Sequence, residues 1–429
     1  MFDREYKDTI KKHLCHSDSS LQNLIAGEEE FKHILQNLDK SSFSPLINNI
    51  DNRDFCANLH VHTTASDGIA TPQEILDSAA EVAQKNGKNF IVAITDHDSL
   101  DGIKNLLPIL TSNPEKYKNI KVVAGVELST VGTDFENQTA TFDIHTLVYG
   151  INPFDEELNN FIDKKKRLKF ELAQKTLEKL KSSLQDITNK LNIELTLNEA
   201  AKIHPMILKG EDEVSHPLKK YIYAKLLFAH YVESDSGIKT VLNKYNIQNE
   251  ALSYEKPVYT YKSMFNNEKY FYIYKDALQK YLNKLTNNKE NIVLPEIPDH
   301  MVKALLLGKQ ICENSHPSRH NKLTAFTHFE DALSFINTQK YGLISIAHPA
   351  RLNLKAVNGD LSNFFDEFFY VYKKYGKDKA FAYEKHYQSY SKNKVTKEIL
   401  DIINKSAEKF NLLPTGGVDS HGKNVCSRM

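Results

Sequence analysis

Residues 58–68 read NLHVHTTASDG. Alternate residues of a strand point to the same face. An apolar strand here therefore presents His60 and His62 side by side on a rigid backbone, with Asp67 one turn further on. Two imidazoles alone hold a divalent ion weakly, so carboxylates and further histidines must come from elsewhere in the chain. A lone His-x-His pair is common on strands that bind no metal. The remaining sequence decides the matter.

Outward from this stretch, residues 55–150 alternate in character. Strand FCANLHVHT is followed by helix TPQEILDSAAEVAQKNG, strand FIVAITDHD, helix DGIKNLLPIL, strand IKVVAGVELST and strand FDIHTLVYGI. Thr71 and Pro72 suit the cap and first turn of the first helix, and Gly87 suits its end. Strands alternating with helices predict an α/β fold of parallel βα units. Residues 1–50 read as a helical lead-in, 51–150 as the first part of the α/β domain, 151–338 as a mostly helical insertion or cap, and 339–429 as the domain's second part. The second part opens with YGLISIAHPAR at 341–351. It continues through a helix at 361–375, a strand at 379–384, a helix at 394–410 and the closing LLPTGGVDSHG.

Composition excludes several classes. A chain of 429 residues with 41% hydrophobic and 26% charged residues is ordinary for a globular protein. Lys plus Arg and Asp plus Glu number 55 each, so no global field recruits nucleic acid or membrane. No stretch approaches the roughly 18 apolar residues of a membrane span. The opening MFDREYKDTIKKHL lacks the apolar core of a signal peptide, and Cys15, Cys56, Cys312 and Cys426 are scattered. A cytoplasmic protein with free thiols is expected.

Nearly every strand outside the insertion ends in a metal-ligand type. His97 follows the strand at 90–95, Glu127 the strand at 121–126, and His145 lies on 142–149. His348 follows 343–347, and Asp419 and His421 follow the last strand. With His60, His62 and Asp67 these make six histidines and three carboxylates, more than one ion can use. Two or three adjacent divalent ions suit phosphoester hydrolysis, because they acidify a bridging water and neutralise charge on the phosphate and leaving oxygens. Arg351, three residues after His348, suits a bidentate phosphate contact.

The ordered series HxHTxxSDG, TDHD, GxE, a strand histidine, AHPxR and a terminal DxH resembles the PHP (polymerase and histidinol phosphatase) superfamily. The likeness is to its stand-alone phosphoesterase branch, covers about 55–150 and 340–424, and extends only weakly to the insertion. It implies a distorted (β/α)7 TIM-like barrel of PHP type with a trinuclear site of manganese, iron or zinc. It also implies His60, His62, Asp67, His97, Glu127, His145, His348, Asp419 and His421 as ligands, Glu127 as a bridge and Arg351 as a phosphate contact. Tyr383, Glu384 and His386 resemble the family's penultimate strand. The chain departs from the family at Gly417-Val418-Asp419-Ser420-His421, where members commonly read GSDFH. It departs again at Ser215-His216-Pro217-Leu218-Lys219-Lys220, where nucleotide-processing members place an arginine–histidine pair.

The expected activity is hydrolysis of phosphate mono- or diesters by a metal-activated hydroxide, with a phosphorylated small molecule, a nucleotide or short RNA as substrate. Two alternatives are a histidinol-phosphate-type phosphatase, from which Asp67 and Arg351 lean away, and a non-catalytic barrel that binds partners through its insertion. Asp96 and Asp98 are expected to cap turns beside His97, and Asp143 to support His145. The basic run Lys164–Arg167 is expected to be a solvated helix face. The tyrosines of 254–281 are expected to pack inside the insertion with surface hydroxyls.

Overall fold

The computed structural model describes residues 2–14, 24–38, 55–132, 142–210, 214–247, 252–259, 270–315, 327–352, 354, 357, 360–387 and 395–425. The first strand, β1 (Phe55–Val61), leads into a helix at Pro72–Asn86 whose ends follow the local chemistry. Thr71 and Glu74 form a reciprocal capping box, Pro72 occupies the first turn, and Gly87 ends the helix in left-handed backbone at φ 63°. The chain continues through β2 (Asn89–Ile94), the helix Asp101–Ser112, β3 (Ile120–Gly132) and β4 (Phe142–Tyr149). After an excursion come β5 (Thr327–His328), β6 (Leu343–Ile346), β7 (Ala380–Tyr387) and β8 (Leu413–Gly417), separated by the helices Phe329–Thr338, Leu361–Gly376 and Lys397–Lys409.

The strands lie in the order β1-β2-β3-β4-β6-β7-β8, with the short β5 pairing to β3. A parallel bridge between Val61 and Ser420 joins the two ends into a nearly closed barrel. The closure is stitched by main-chain bonds from His62 N–H to Ser420 O (2.9 Å) and from Ser420 N–H to His60 O (3.0 Å). Buried Asn58 adds to it, accepting from the N–H of His60 and of Val418 on Oδ1 and donating from Nδ2 to Val425 O. The barrel is not uniformly parallel. β4 runs antiparallel to both neighbours, with Glu127 opposite Leu147 and Ser129 opposite His145. β3 also continues through Glu127 to Gly132 instead of ending before it. Only nine residues separate β3 from β4, fewer than the dozen or more that a parallel crossover needs, and this is the physical reason for the reversal.

Strand residues face either the surrounding helices or the barrel interior. Phe90, Val92, Ile94, Val122, Ala124 and Val126 pack with Ile75, Leu76, Ile103 and Leu107 of the outer helices. Ala57, Leu59, Ile91, Ala93, Val123, Leu147 and Tyr149 form a separate interior cluster. That cluster includes Phe31 and Leu35 of the helix Glu28–Asn37, together with Leu343, Phe381 and Leu413 from the starts of β6, β7 and β8. The helix near the N-terminus therefore plugs one end of the barrel. The histidines collect at the other.

The chain divides into two compact units, residues 1–166 with 321–429 and residues 167–320. The second is helical, built on Ser215–Phe228 and its π-helical continuation Ala229–Glu233. Leu218, Tyr221, Ile222, Tyr223, Leu226 and Leu227 are buried on all sides of that helix. Tyr254 and Tyr274 are buried here as expected, but their hydroxyls do not reach the surface. They donate to Glu199 O and Tyr254 O (2.7 and 2.9 Å). His216 sits in the first turn of the central helix. Among the described residues, no helix is long and apolar enough to cross a membrane.

Barrel closure leaves no room at Gly417, where an added Cβ would lie 2.5 Å from His60 Cβ and 2.9 Å from His60 N. Gly417→Ala is expected to destabilise the protein by about 1–3 kcal/mol through overpacking. A lower denaturant midpoint at unchanged m-value would show it, and an unchanged midpoint would refute it.

Candidate metal centre

The open barrel end gathers the nine side chains singled out in the sequence. His60 lies near the end of β1, and His62 just beyond it. His97 follows β2 and is bridged to Glu127 of β3. His145 comes early in β4, and the reversed direction of that strand carries it to the end where the parallel strands finish. His348 follows β6, and Asp419 and His421 follow β8.

These residues form four overlapping groups able to hold an ion, with ligand atoms within 4.8 Å of one another. The groups are His62, Asp67, His97 and His421; His60, His62 and Asp419; His60, Glu127 and His348; and His97, Glu127 and His145. Glu127 is at the centre and fully buried. Its Oε2 lies 2.9, 3.1 and 3.3 Å from His60 Nε2, His62 Nε2 and His97 Nδ1. Its Oε1 lies 2.9 Å from His145 Nδ1 and 3.5 Å from His348 Nε2. Asp419 Oδ1 lies 3.2 Å from His62 Nε2 and 3.3 Å from His421 Nδ1, and Asp67 Oδ2 lies 2.9 Å from His421 Nε2.

The donor set fits a metal on its own terms. Although carboxylate oxygens lie close to several of them, both ring nitrogens of His62, Asp67 Oδ1 and His97 Nδ1 are buried and make no hydrogen bond of acceptable geometry among the described residues. Buried polar atoms left this way cost free energy unless something binds them. Imidazole nitrogen mixed with carboxylate oxygen suits Mn, Fe and Zn alike.

Supporting residues hold the set in place. Asp96 accepts from Thr63 N–H (2.6 Å), Thr63 Oγ1 and Ser66 Oγ, fixing the loop that presents Asp67. Asp98 accepts from Ser129 N–H and pairs with Lys165 Nζ at 2.9 Å. Lys165 is thus buried rather than part of a solvated face; it also donates to Ser129 O at 2.7 Å. Asp143 lies within β4, half-exposed, 3.8 Å from His145 Nε2. Arg351 Nη1 donates to Tyr387 Oη (2.9 Å), and Tyr387 Oη donates to Asp419 Oδ2 (2.6 Å). His348 and Asp419 both have left-handed backbone, at φ 27° and 53°. Such conformations concentrate at functional sites and cost about 1–3 kcal/mol each.

Two members of this network, Glu384 and Tyr387 on β7, were not singled out as site residues. The available signal was a glutamate in a strand otherwise rich in alanine and aromatics, which parallels Glu127 on β3.

The charge balance is uneven. Burial raises the Glu127 and Asp419 carboxyls, but the surrounding imidazoles overcome this and hold both well below the usual carboxylate range. Burial lowers the His62 imidazole, yet Asp419 and Glu127 outweigh it and push it up to about 10. His60 is likewise held well above its ordinary value by Glu127, Glu384 and Asp419 against burial. For His97 and His348 burial prevails, helped by cationic neighbours, and takes them down to about 4 and about 3.

No protein-family model matches the chain, and no curated protein matches its sequence. Solved structures similar to it include the following two. A chain from Bifidobacterium adolescentis described as a metal-dependent phosphoesterase aligns with TM-score 0.44 and 15% identity, covering 86% of this chain and 88% of that one. An amidohydrolase from Chromobacterium violaceum with bound sulfate and no metal aligns with TM-score 0.44 and 17% identity, covering 85% and 87%. The chemistry therefore rests on the residues of this chain.

His62 must lose its proton to ligate, and in the metal-free site that proton is held up to about pH 10. Apparent zinc affinity should therefore rise about tenfold per pH unit for each proton displaced between pH 7 and 9. His97 and His348, already neutral, contribute no proton release in that range. Calorimetry in buffers of different ionisation enthalpy reads the released protons; an affinity independent of pH would refute this account.

Proposed function

We propose that the chain is a metal-dependent phosphoesterase of the PHP kind, hydrolysing phosphate mono- or diesters, with nucleotides or short RNA as its substrates. The observation that carries this reading is the fully buried Glu127, shared by two of the four candidate metal groups and within 3.5 Å of five imidazoles. The nine residues His60, His62, Asp67, His97, Glu127, His145, His348, Asp419 and His421 would hold two or three Mn, Fe or Zn ions. When bound, such ions supply an acidified water and positive charge against the phosphate oxygens.

The chain's own residues supply position and access. His60, His62 and Glu127 are fully buried. Arg351, Asp67 and His145 keep 40%, 26% and 24% of their side-chain surface exposed. Substrate therefore approaches across Arg351, Asp67 and His145. Arg351 is anchored to Tyr387 and lies 3.5 Å from Asp419 Oδ2, which fixes its guanidinium beside the ligand set. A planar guanidinium held in this way suits two oxygens of one phosphate. Asp67, fixed by the Asp96-bonded loop, adds a carboxylate on the open side. We place this activity in the cytoplasm on the ground of the four scattered cysteines, whose lack of paired spacing suits free thiols in a reducing compartment.

The test is a panel of phosphomonoesters, nucleotides, phosphodiesters and short RNA, with histidinol phosphate included, run with added Mn, Zn or Fe and coupled to metal analysis. Hydrolysis is expected, and His97→Ala or Asp419→Ala should lower it by about a hundredfold or more. Full activity in a metal-stripped sample would overturn the reading, and no turnover on any substrate would favour a binding role.

Arg351→Ala should raise KM for phosphate esters about 10–100-fold, the loss of a charge-assisted contact, with the bound metal content unchanged. Arg351→Lys should restore little, because a point charge lacks the bidentate geometry. An unaltered KM in Arg351→Ala would remove Arg351 from substrate binding.

A further inference from the structure

β7 brings to the metal centre a carboxylate that belongs to none of the four ion-holding groups. Glu384 is buried, and its Oε1 lies 3.1 Å from His60 Nδ1. Its Oε2 accepts the main-chain N–H of His348 at 2.8 Å. The far side of the His60 ring places Nε2 2.9 Å from Glu127 Oε2. His348, whose N–H Glu384 holds, is the residue with left-handed backbone at φ 27°.

We propose that Glu384 is a positioning residue of the metal centre: it accepts a hydrogen bond from His60 Nδ1–H, which keeps the ring proton on Nδ1 so that Nε2 offers its lone pair to an ion, and it anchors the turn that aims His348 at Glu127. The proposal rests on the metal-dependent reading above and deepens it. A ligating histidine whose other ring nitrogen is bonded to a carboxylate is fixed in both tautomer and orientation. Glu384 does this for one ligand while holding the backbone of a second, so it couples β1 to β6 from the strand between β6 and β8.

The chemistry predicts an unusual sensitivity to glutamine. A carboxylate offers acceptors to both donors, whereas a glutamine of the same shape offers one acceptor and one donor group. The His348 amide cannot reverse its polarity, so the glutamine oxygen must face it. The glutamine NH2 then faces His60 Nδ1 and favours the tautomer with its proton on Nε2, which cannot ligate there.

The experiment measures zinc affinity by chelator competition, and the melting temperature of the metal-free protein, for the wild type, Glu384→Gln, His60→Ala and the double variant. Glu384→Gln should lower zinc affinity about 10–100-fold with little change in metal-free melting. In the His60→Ala background the same substitution should have a markedly smaller effect, because the ring it acts through is gone. Unchanged affinity in Glu384→Gln, or an equal loss in both backgrounds, would overturn the proposal. If the glutamine variant does not fold, long-range proton–nitrogen spectra of the zinc-loaded wild type decide: a proton on His60 Nδ1 supports the proposal and one on Nε2 overturns it. A wild-type protein that binds no divalent ion would overturn the metal reading itself, a result distinct from a wild type that binds normally beside an equally competent glutamine variant.

Discussion

The carboxylate of Glu127 is fully buried among the imidazoles of His60, His62, His97, His145 and His348, at 2.9–3.5 Å. A buried carboxylate is tolerated only if charge and hydrogen bonds compensate its desolvation. Here the compensation comes from residues on β1, β4 and the loops after β1, β2 and β6, so one side chain ties together most of the barrel end. Without an ion, protons on His60 and His62 carry the balancing charge, which is why both are held above their ordinary values while His97 and His348 stay neutral. Protons and metal ions thus compete for the same lone pairs.

That arrangement constrains the scaffold. His145 reaches Glu127 from early in its strand only because β4 runs against its neighbours; in a parallel β4 the same position would lie away from the open end. The β1–β8 seam has to bring Asp419 to within 3.5 Å of His60, and it does so through Asn58, the Val61–Ser420 bridge and a glycine at 417. At the other end Phe31 and Leu35 fill the barrel, where an unfilled interior would forfeit packing along every strand.

Much of this was legible in the sequence, for physical reasons. The two-residue spacing of His60 and His62 encodes a shared face. Thr71, Pro72, Glu74 and Gly87 encode a helix with defined ends. Ligand types recurring after apolar strands encode a convergent barrel end, and all nine side chains do converge. What was not legible depends on long-range contact. The direction of β4 is invisible to a period-two pattern. Lys165 reads as one lysine in a basic run, and only the fold places Asp98 and Ser129 O against it. The helix Glu28–Asn37 carries amphipathic spacing without any sign of which surface it will cover. Glu384 and Tyr387 act through partners 324 and 32 residues away along the chain, so the local strand pattern marked Glu384 as out of place among alanines and aromatics without revealing what it holds.

The left-handed backbone at Asp98, His348 and Asp419 follows from the same central constraint. Asp98 lies four residues after β2 ends, and His348 and Asp419 lie two residues after β6 and β8 end, all beside the carboxylate cluster. A regular continuation of each strand would carry its side chains past the barrel axis in alternation. A single left-handed residue turns the chain sharply and keeps the adjacent ligand pointing inward. Aspartate tolerates this conformation at modest cost, and histidine does so less readily. At the histidine the turn is met by a buried acceptor on its own N–H, the Glu384 carboxylate. Strain, burial and charge are therefore placed where the centre needs fixed geometry, and the apolar packing of the rest of the barrel supports them.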